Sequence, residues 1–164
     1  MAEVELSFCV VNTEQRELLV RGLDAIARER AALPFATEVL VLDNASRDGS
    51  AGAARRHAAV DDLVVNRRRG GKGENDTALL RRARGRFCLL LNEDSELRPG
   101  ATAALHSALE ARPDAAAAGA ALLRRSRGRY CLLLNEDSEL RPGAVLALHE
   151  ALTSRPGAAA AGAR

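Results

Sequence analysis

Hydrophobic residues along the chain form short apolar runs that alternate with longer stretches in which apolar positions recur at helical spacing. The apolar runs predict strands at Leu6–Val11, Glu38–Leu42, Asp62–Val65 and Phe87–Leu91. The stretches between them predict helices at Arg16–Arg30, Ser50–His57 and Glu74–Arg84. This order is typical of an α/β fold with a mostly parallel sheet and helices on both faces. The strands are rich in Val and Leu without alternation, which predicts burial of both sheet faces.

The second half of the chain repeats part of the first. Residues 78–120 recur as 121–163 without a gap, and eight of the 43 positions differ. Two copies are too few for a solenoid, so a duplication within one globular domain fits better. We therefore expect a domain over residues 1–120 and a tandem copy over 121–164 that packs on the same sheet or exchanges with it.

Composition sets the broad class of the protein. The 164 residues are 47% hydrophobic and 28% charged, which is the balance of a soluble globular domain. A net charge of +2 gives no argument for a nucleic-acid partner. Cys9, Cys88 and Cys131 each lie in an apolar run without a CxxC pair, so we expect buried, reduced thiols.

The pattern of charged and apolar residues bears on the expected location of the protein. The N-terminus lacks a basic region, and no apolar stretch approaches the length that spans a bilayer. The expected location is the cytoplasm, and adsorption to a membrane surface is left open.

Polar motifs follow three of the predicted strands. Residues 43–50 read Asp-Asn-Ala-Ser-Arg-Asp-Gly-Ser, and residues 92–95 read Asn-Glu-Asp-Ser. Between them, residues 66–71 read Asn-Arg-Arg-Arg-Gly-Gly, and Lys72 follows. Open parallel sheets bind ligands at the carboxyl ends of their strands, so these motifs are candidate site elements. Glycine permits unusual backbone angles, and a glycine loop flanked by Arg69 and Lys72 is therefore a candidate for close approach to phosphate.

The order and spacing of these motifs resemble family 2 glycosyltransferases over about residues 4–120. Asn66, Gly71 and Gly85 precede the strand that ends in the Asn-x-Asp turn, at the spacing that the family shows. The resemblance implies a Rossmann-like GT-A three-layer sandwich, here truncated and with a duplicated strand–helix unit. The family pattern would make residues 115–123 partly strand, whereas their alanine content predicts a helix over 114–127.

The resemblance also implies a substrate and a set of roles. The family transfers sugar from a nucleoside diphosphate sugar, so Mn2+ or Mg2+ is expected to hold the diphosphate with the help of Asp94, or, in the second copy, Asp137. The residues that would bind the donor are Asn12, Asp43, Arg69, Gly71 and Asn92. The family often has Thr-Tyr-Asn or Ser-Tyr-Asn after the first strand, where this chain has Asn-Thr-Glu at 12–14.

Structural explanations compete at several of these positions. The Asn-Glu-Asp turn can be an ordinary solvated turn, and Asp43 and Asp48 can be helix or turn caps. The basic residues around Gly70 can form a solvated loop, and Asp76 and Thr77 can serve the helix surface. His57, His106 and His149 have no partners that indicate catalysis.

Two functions remain open at this point. In the first, the protein is a metal-dependent transferase that builds a glycan or polysaccharide, with an unidentified glycan or lipid-linked acceptor. Its catalytic residues are unknown, because the acceptor half and the catalytic base are not found. In the second, it is an inactive module that binds nucleotide or forms a homodimer by strand exchange. A third interpretation is another doubly wound nucleotide-binding protein with an accidental resemblance.

Overall fold

The computed structural model describes residues 3–95 and 97–111. The chain divides into two compact units, Met1–Thr102 and Ala103–Arg164. The second repeat copy, with Cys131, Asp137, His149 and the predicted helix over 114–127, lies outside the described residues.

Four strands and four helices alternate along the described chain. The strands are β1 (Leu6–Asn12), β2 (Thr37–Asp43), β3 (Asp62–Val65) and β4 (Phe87–Asn92). The helices are α1 (Arg16–Ala32), α2 (Ser50–Arg56), α3 (Lys72–Arg82) and α4 (Ala101–Glu110). The first seven elements confirm the predictions from sequence to within two residues at each end. The helix α4 was not predicted.

The described strands form one parallel sheet in the order β3-β2-β1-β4. β1 is central and pairs with β2 from Leu6↔Thr37 to Asn12↔Asp43. Because every pairing is parallel, all four carboxyl ends lie at the same edge of the sheet. We call this the carboxyl edge. The predicted α/β, Rossmann-like class is confirmed.

The two faces of the sheet carry separate cores. On one face, Leu19, Leu23 and Ile26 of α1 pack on Phe8 and Val39 of the two central strands. On the other face, Leu79 of α3 packs with a smaller group, which consists of Cys9, Val11, Leu40 and Leu42. The spacing of the α1 residues places them on one side of the helix, which explains why this stretch forms an amphipathic helix here.

Burial is complete in the two central strands but not in β4. Every residue of β1 and β2 is buried, as the uninterrupted apolar runs predicted. In β4 alternate residues are exposed, and Leu90 exposes 42% of its surface. The prediction of a buried thiol is confirmed for Cys9 and wrong for Cys88, which lies on the exposed face of β4. An apolar run therefore did not distinguish a strand with two covered faces from a strand with one.

No helix among the described residues is both long and apolar enough to cross a membrane.

Candidate functional site at the carboxyl edge

An asparagine ends or follows each of the four strands. Asn12 and Asn92 are the last residues of β1 and β4, and Asn44 and Asn66 come directly after β2 and β3. Because the strands are parallel, these four residues all lie along the carboxyl edge. Amide side chains both donate and accept hydrogen bonds, so they can fix loops and still offer groups to a ligand.

The predicted residues Asn12 and Asp43 lie in contact. The Asn12 Nδ2 donates to Asp43 Oδ1 at 3.1 Å and to Ser46 Oγ at 3.3 Å. The Ser46 N–H donates to the other carboxylate oxygen of Asp43 at 3.0 Å. Both side chains have no exposed surface. Among the described residues, no group donates to the buried Oδ1 of Asn12, so this acceptor is spare.

An open pocket of about 700 Å³ lies beside this pair. Two of its residues, Glu14 and Ala45, take left-handed backbone angles with φ of 56° and 55°. Such angles cost energy in non-glycine residues and concentrate where a loop is shaped for a ligand. Val65 exposes 43% of its surface and gives the pocket an apolar patch. The lining residues are Glu14, Ala45, Ser46, Arg47, Val65, Asn66, Arg67, Arg68 and Arg69.

Glu14 holds the predicted residue Arg69 at this pocket. An Arg69 guanidinium nitrogen lies 2.7 Å from Glu14 Oε1, and the Arg47 N–H donates to both Glu14 oxygens at 3.1 Å. The Arg69 side chain is 58% exposed. The pocket therefore presents three consecutive arginines and one carboxylate that is engaged with one of them, which suits an anionic ligand.

Asn44 fixes the glycine loop to the sheet. Its Oδ1 accepts the Gly70 N–H at 2.7 Å, and its Nδ2 donates to the Gly70 carbonyl at 3.1 Å. The same amide bonds Thr13 Oγ1 at 3.2 Å and Asn66 Nδ2 at 3.3 Å. One buried amide therefore joins the loops that follow β1, β2 and β3.

The glycine loop is built differently from the prediction. Neither Gly70 nor Gly71 takes a left-handed φ. A Cβ on Gly70 would lie 2.8 Å from Glu74 Oε2 and 3.0 Å from Asn75 Oδ1, whereas a Cβ on Gly71 would meet nothing within 4 Å. Glu74 is exposed and can move aside, so the buried Asn75 amide is the contact that favours glycine at position 70. Gly71 precedes the first residue of α3, where free backbone N–H groups favour an anion.

Lys72 connects the start of α3 to the end of β4. Its Nζ lies 3.1 Å from Asn92 Oδ1 and 3.1 Å from Asp76 Oδ2. The turn that follows β4 is closed by the Asn92 N–H, which donates to Ser95 Oγ at 3.1 Å. The Asp94 side chain is exposed, and no donor among the described residues binds its carboxylate.

The donor set of this turn fits a hard divalent cation. Asp94 and Asn92 provide oxygen ligands on a strand-end turn, which is the chemistry that Mg2+ and Mn2+ prefer. A turn of this kind leaves coordination positions open for phosphate oxygens. Lys72 already bonds Asn92, so Asp94 is the freer of the two ligands.

The remaining candidates have structural partners. Asp48 accepts hydrogen bonds from Ser50 N at 3.0 Å and Arg16 N at 2.8 Å, at the first residues of α2 and α1. Burial raises the pKa of Asp48, but the hydrogen bonds from the Ser50 hydroxyl and from these two N–H groups outweigh burial and lower it. The capping interpretation of Asp48 is confirmed. The Nε2 atom of the partly buried His57 lies 3.2 Å from Oδ1 of the exposed Asp24, and Thr77 is exposed on α3.

Sequence reasoning missed four residues that build the site, namely Glu14, Asn44, Ser46 and Asn75. Asn75 is buried and accepts a hydrogen bond from Asn66 Nδ2 at 3.0 Å. The recurrence of Asn at every strand end was visible in the sequence and would have identified Asn44. The turn geometry that brings Glu14 to Arg69, 55 positions later, has no signature in the sequence.

Comparison with solved structures places this architecture among glycosyltransferases. The mannosyltransferase PcManGT from Pyrobaculum calidifontis, in complex with GDP-Man and Mn2+, matches with 27% identity and a TM-score of 0.53, over 61% of this chain and 30% of that one. The 1–349 fragment of S. aureus TarS, in complex with UDP-GlcNAc, matches with 17% identity and a TM-score of 0.59, over 67% of this chain and 32% of that one.

A third structure gives the same fold. The mannosyl-3-phosphoglycerate synthase from Rubrobacter xylanophilus matches with 24% identity and a TM-score of 0.51, over 59% of this chain and 33% of that one. The chain thus spans a third or less of each of these proteins. The two matches below 25% identity support the fold, which is of the GT-A type. Comparison with curated protein sequences gave no significant match.

The family comparison covers the described sheet and the site. The model of glycosyl transferase family 2 matches residues 7–122, which is more than half of the 164 residues. Except for Leu6, the matched range contains all four strands, and it contains every motif on which the resemblance depends, so the resemblance is not accidental. This chain belongs to glycosyl transferase family 2.

Proposed function

We propose that the carboxyl edge binds a nucleoside diphosphate sugar together with Mn2+ or Mg2+, for transfer of the sugar to an acceptor in glycan or polysaccharide synthesis. The observation that carries this proposal is the convergence of a basic pocket, a helix N-terminus and a free carboxylate at the same ends of four parallel strands. Each of these groups matches one part of such a ligand.

The nucleoside fits the pocket that Glu14 and Val65 line. Val65 offers apolar surface to a base, and Ser46 and Asn66 offer polar groups beside it. Asp43 and Asn12 would act mainly through Ser46, since neither has exposed surface and both hydrogen-bond with it. A ligand that opens the loop after β2 would give the spare Oδ1 of Asn12 a donor.

The diphosphate fits between Arg69 and the start of α3. Arg69 projects a guanidinium that can donate two hydrogen bonds, and Gly71 and Lys72 bring backbone N–H groups and an ammonium to the same edge. Asp94 and Asn92 would hold the cation. A bound cation stabilises the negative charge that grows on the diphosphate as the glycosidic bond breaks.

Calorimetry with GDP-, UDP- and dTDP-sugars, with and without Mn2+, tests the proposal. We expect Mn2+ to strengthen donor binding in the wild type, and this strengthening to be lost in Asp94→Asn. Asp24→Asn is the matched control, because Asp24 is an exposed acid on α1 that pairs with His57 away from the carboxyl edge. Asp137→Asn measures the contribution of the second repeat copy. Equal binding by wild type and Asp94→Asn would remove Asp94 from the proposal.

An inactive, self-associating module is the second candidate. The exposed apolar surface of Leu90 on β4, an outer strand of the described sheet, favours it. A sequence nearly identical to residues 87–91 of β4 recurs at residues 130–134, which would allow exchange between chains. Light scattering over a concentration series distinguishes the candidates when combined with an assay for sugar release. Dimerisation without donor binding supports the module.

A further inference from the structure

The turn that carries Asp94 lies against α1. A Cβ built on Gly22, in the middle of α1, would lie 3.6 Å from the Ser95 carbonyl oxygen and 3.7 Å from the Glu93 carbonyl oxygen. The backbone of the turn therefore comes within van der Waals distance of the helix. A side chain larger than alanine at position 22 would occupy the space that the turn fills.

The segment that leaves the turn is tied to the same helix. Glu29, two turns further along α1, accepts the Gly100 N–H at 2.7 Å and the Thr102 N–H at 2.9 Å, one on each carboxylate oxygen. Glu29 is only 5% exposed, and Thr102 is fully buried. Leu97 packs on the core that α1 also contacts. The chain is thus anchored soon after Asp94 by one buried carboxylate and one apolar side chain.

Burial of the Glu29 carboxylate requires compensating hydrogen bonds, because burial disfavours the charged form. Burial raises the pKa of Glu29, but the hydrogen bonds from Thr102 and Gly100 outweigh burial and lower it. The charge is therefore kept, and it is used to hold two backbone N–H groups. Gly100 itself takes a left-handed φ of 79°, so the anchored segment has one defined and sharply bent path.

We propose that Glu29 and Gly22 are positioning residues for the metal turn: they fix both the backbone of residues 93–95 and its exit at residues 100–102, and thereby aim the Asp94 carboxylate. Pairing of Asn92 with Val11 fixes the other end of the turn. This inference rests on the proposed function, because it assigns Asp94 to a divalent cation. Groups that orient metal ligands commonly change metal affinity by about 10- to 100-fold when they are removed.

The test measures Mn2+ binding alone, from the loss of the free-ion signal in electron paramagnetic resonance. It uses the full chain with Asp137→Asn, so that the second repeat copy does not contribute. Glu29→Ala is expected to weaken Mn2+ binding by about 10-fold or more, with metal-free nucleotide affinity unchanged. Glu17→Ala, an exposed glutamate of the same helix, is the matched control and should behave as the parent.

Gly22 provides a second pair of variants that removes no hydrogen bond. Gly22→Ala should bind Mn2+ like the parent, because its Cβ makes only ordinary contacts, whereas Gly22→Leu should lose affinity. These variants keep the test decisive if Glu29→Ala does not fold. A role confined to stability would lower the unfolding midpoint of Glu29→Ala and Gly22→Leu while Mn2+ and nucleotide affinities stayed as in the parent, and that result would overturn the inference.

Asp94→Asn, made in the same parent, distinguishes failure of the proposed function from failure of the positioning role. Loss of Mn2+ binding in Asp94→Asn, together with unchanged binding in Glu29→Ala and Gly22→Leu, would keep the proposed function and reject the positioning role. Unchanged Mn2+ binding in Asp94→Asn would reject the metal assignment and, with it, the positioning role.

Discussion

Polar networks lie at both ends of the parallel strands, at the carboxyl edge and at the opposite end, which we call the amino edge. Only the network at the amino edge is closed, in the sense that its donors and acceptors are paired with one another. At the amino edge, the Glu38 carboxylate accepts hydrogen bonds from Ser7 Oγ at 2.7 Å, Arg84 N at 2.6 Å and the Arg84 guanidinium at 2.7–2.8 Å. Ser7 Oγ accepts the Gly85 N–H at 2.9 Å. Donors and acceptors are matched there, so the network locks the loop between α3 and β4 onto the central strands.

At the carboxyl edge, by contrast, some polar groups have no partner among the described residues. Asn12 Oδ1 has no donor among the described residues, the Asp94 carboxylate is exposed, and Glu14 and Ala45 hold left-handed angles. Spare hydrogen-bonding capacity and local strain are costs that folding alone does not require. The difference shows that polar residues at strand ends indicate a binding site only where their hydrogen-bonding groups are not satisfied within the protein.

The largest loss of stability is expected for a substitution of Gly85, at the amino edge. A Cβ on Gly85 would lie 2.5 Å from Ser7 N and 2.8 Å from the Leu6 carbonyl carbon, and backbone atoms cannot move aside cheaply. Gly85→Ala should therefore lower the free energy of unfolding by about 3 kcal/mol or more. Urea denaturation checks this value. Gly71→Ala is the control, because a Cβ there meets nothing within 4 Å, and a similar loss in both variants would contradict the explanation.

Gly85 also illustrates which features the sequence could predict and which it could not. Its spacing from Asn66 and Asp94 formed part of the resemblance to the family. The reason for a glycine, close approach to Ser7, depends on a contact between residues 78 positions apart. Apolar runs and helical spacing predicted seven elements, because local pattern determines them. The exposed face of β4, the helix α4 and the contacts of Glu14 and Asn44 depend on which segments meet, and no local pattern encodes that.

A smaller loss of stability is expected when Glu38 loses its charge. In Glu38→Gln, one oxygen can still accept from Ser7 and Arg84 N, but the new amide would turn a donor toward the Arg84 guanidinium. The free energy of unfolding should fall by about 1–2 kcal/mol, since Arg84 is itself 65% exposed and can hydrate. Nucleotide affinity should not change, because the amino edge lies at the opposite ends of the strands.

The same residue makes a prediction about pH. Burial raises the pKa of Glu38, but the hydrogen bonds from Arg84 and Ser7 outweigh burial and lower it below its ordinary value of 4.5. A lowered pKa in the folded state adds stability above pH 4.5, and this stability is lost as the pH falls through the folded pKa. Unfolding measured from pH 6 downward should therefore show a shallower acid loss in Glu38→Gln than in the wild type. Equal slopes would contradict this account.

The clearest change in function is expected at Asn44. In Asn44→Asp, Oδ1 still accepts the Gly70 N–H, but an oxygen replaces the amide that donates to the Gly70 carbonyl and to Thr13 Oγ1. Repulsion between two acceptors at 3.1 Å would move Gly70, and with it Arg69 and the start of α3. We expect donor affinity to fall by about tenfold, which corresponds to about 1.4 kcal/mol.

Calorimetry with a nucleoside diphosphate sugar measures this loss, and Thr13→Val is the control. Thr13→Val removes one partner of the Asn44 amide but leaves both Gly70 bonds, so its affinity should stay close to that of the wild type. A loss of affinity in Thr13→Val as large as in Asn44→Asp would show that the glycine loop is not what Asn44 controls. If instead Asn44→Asp lowered stability and left affinity intact, the carboxyl edge would resemble the amino edge, and the contrast between a closed and an open network would not hold.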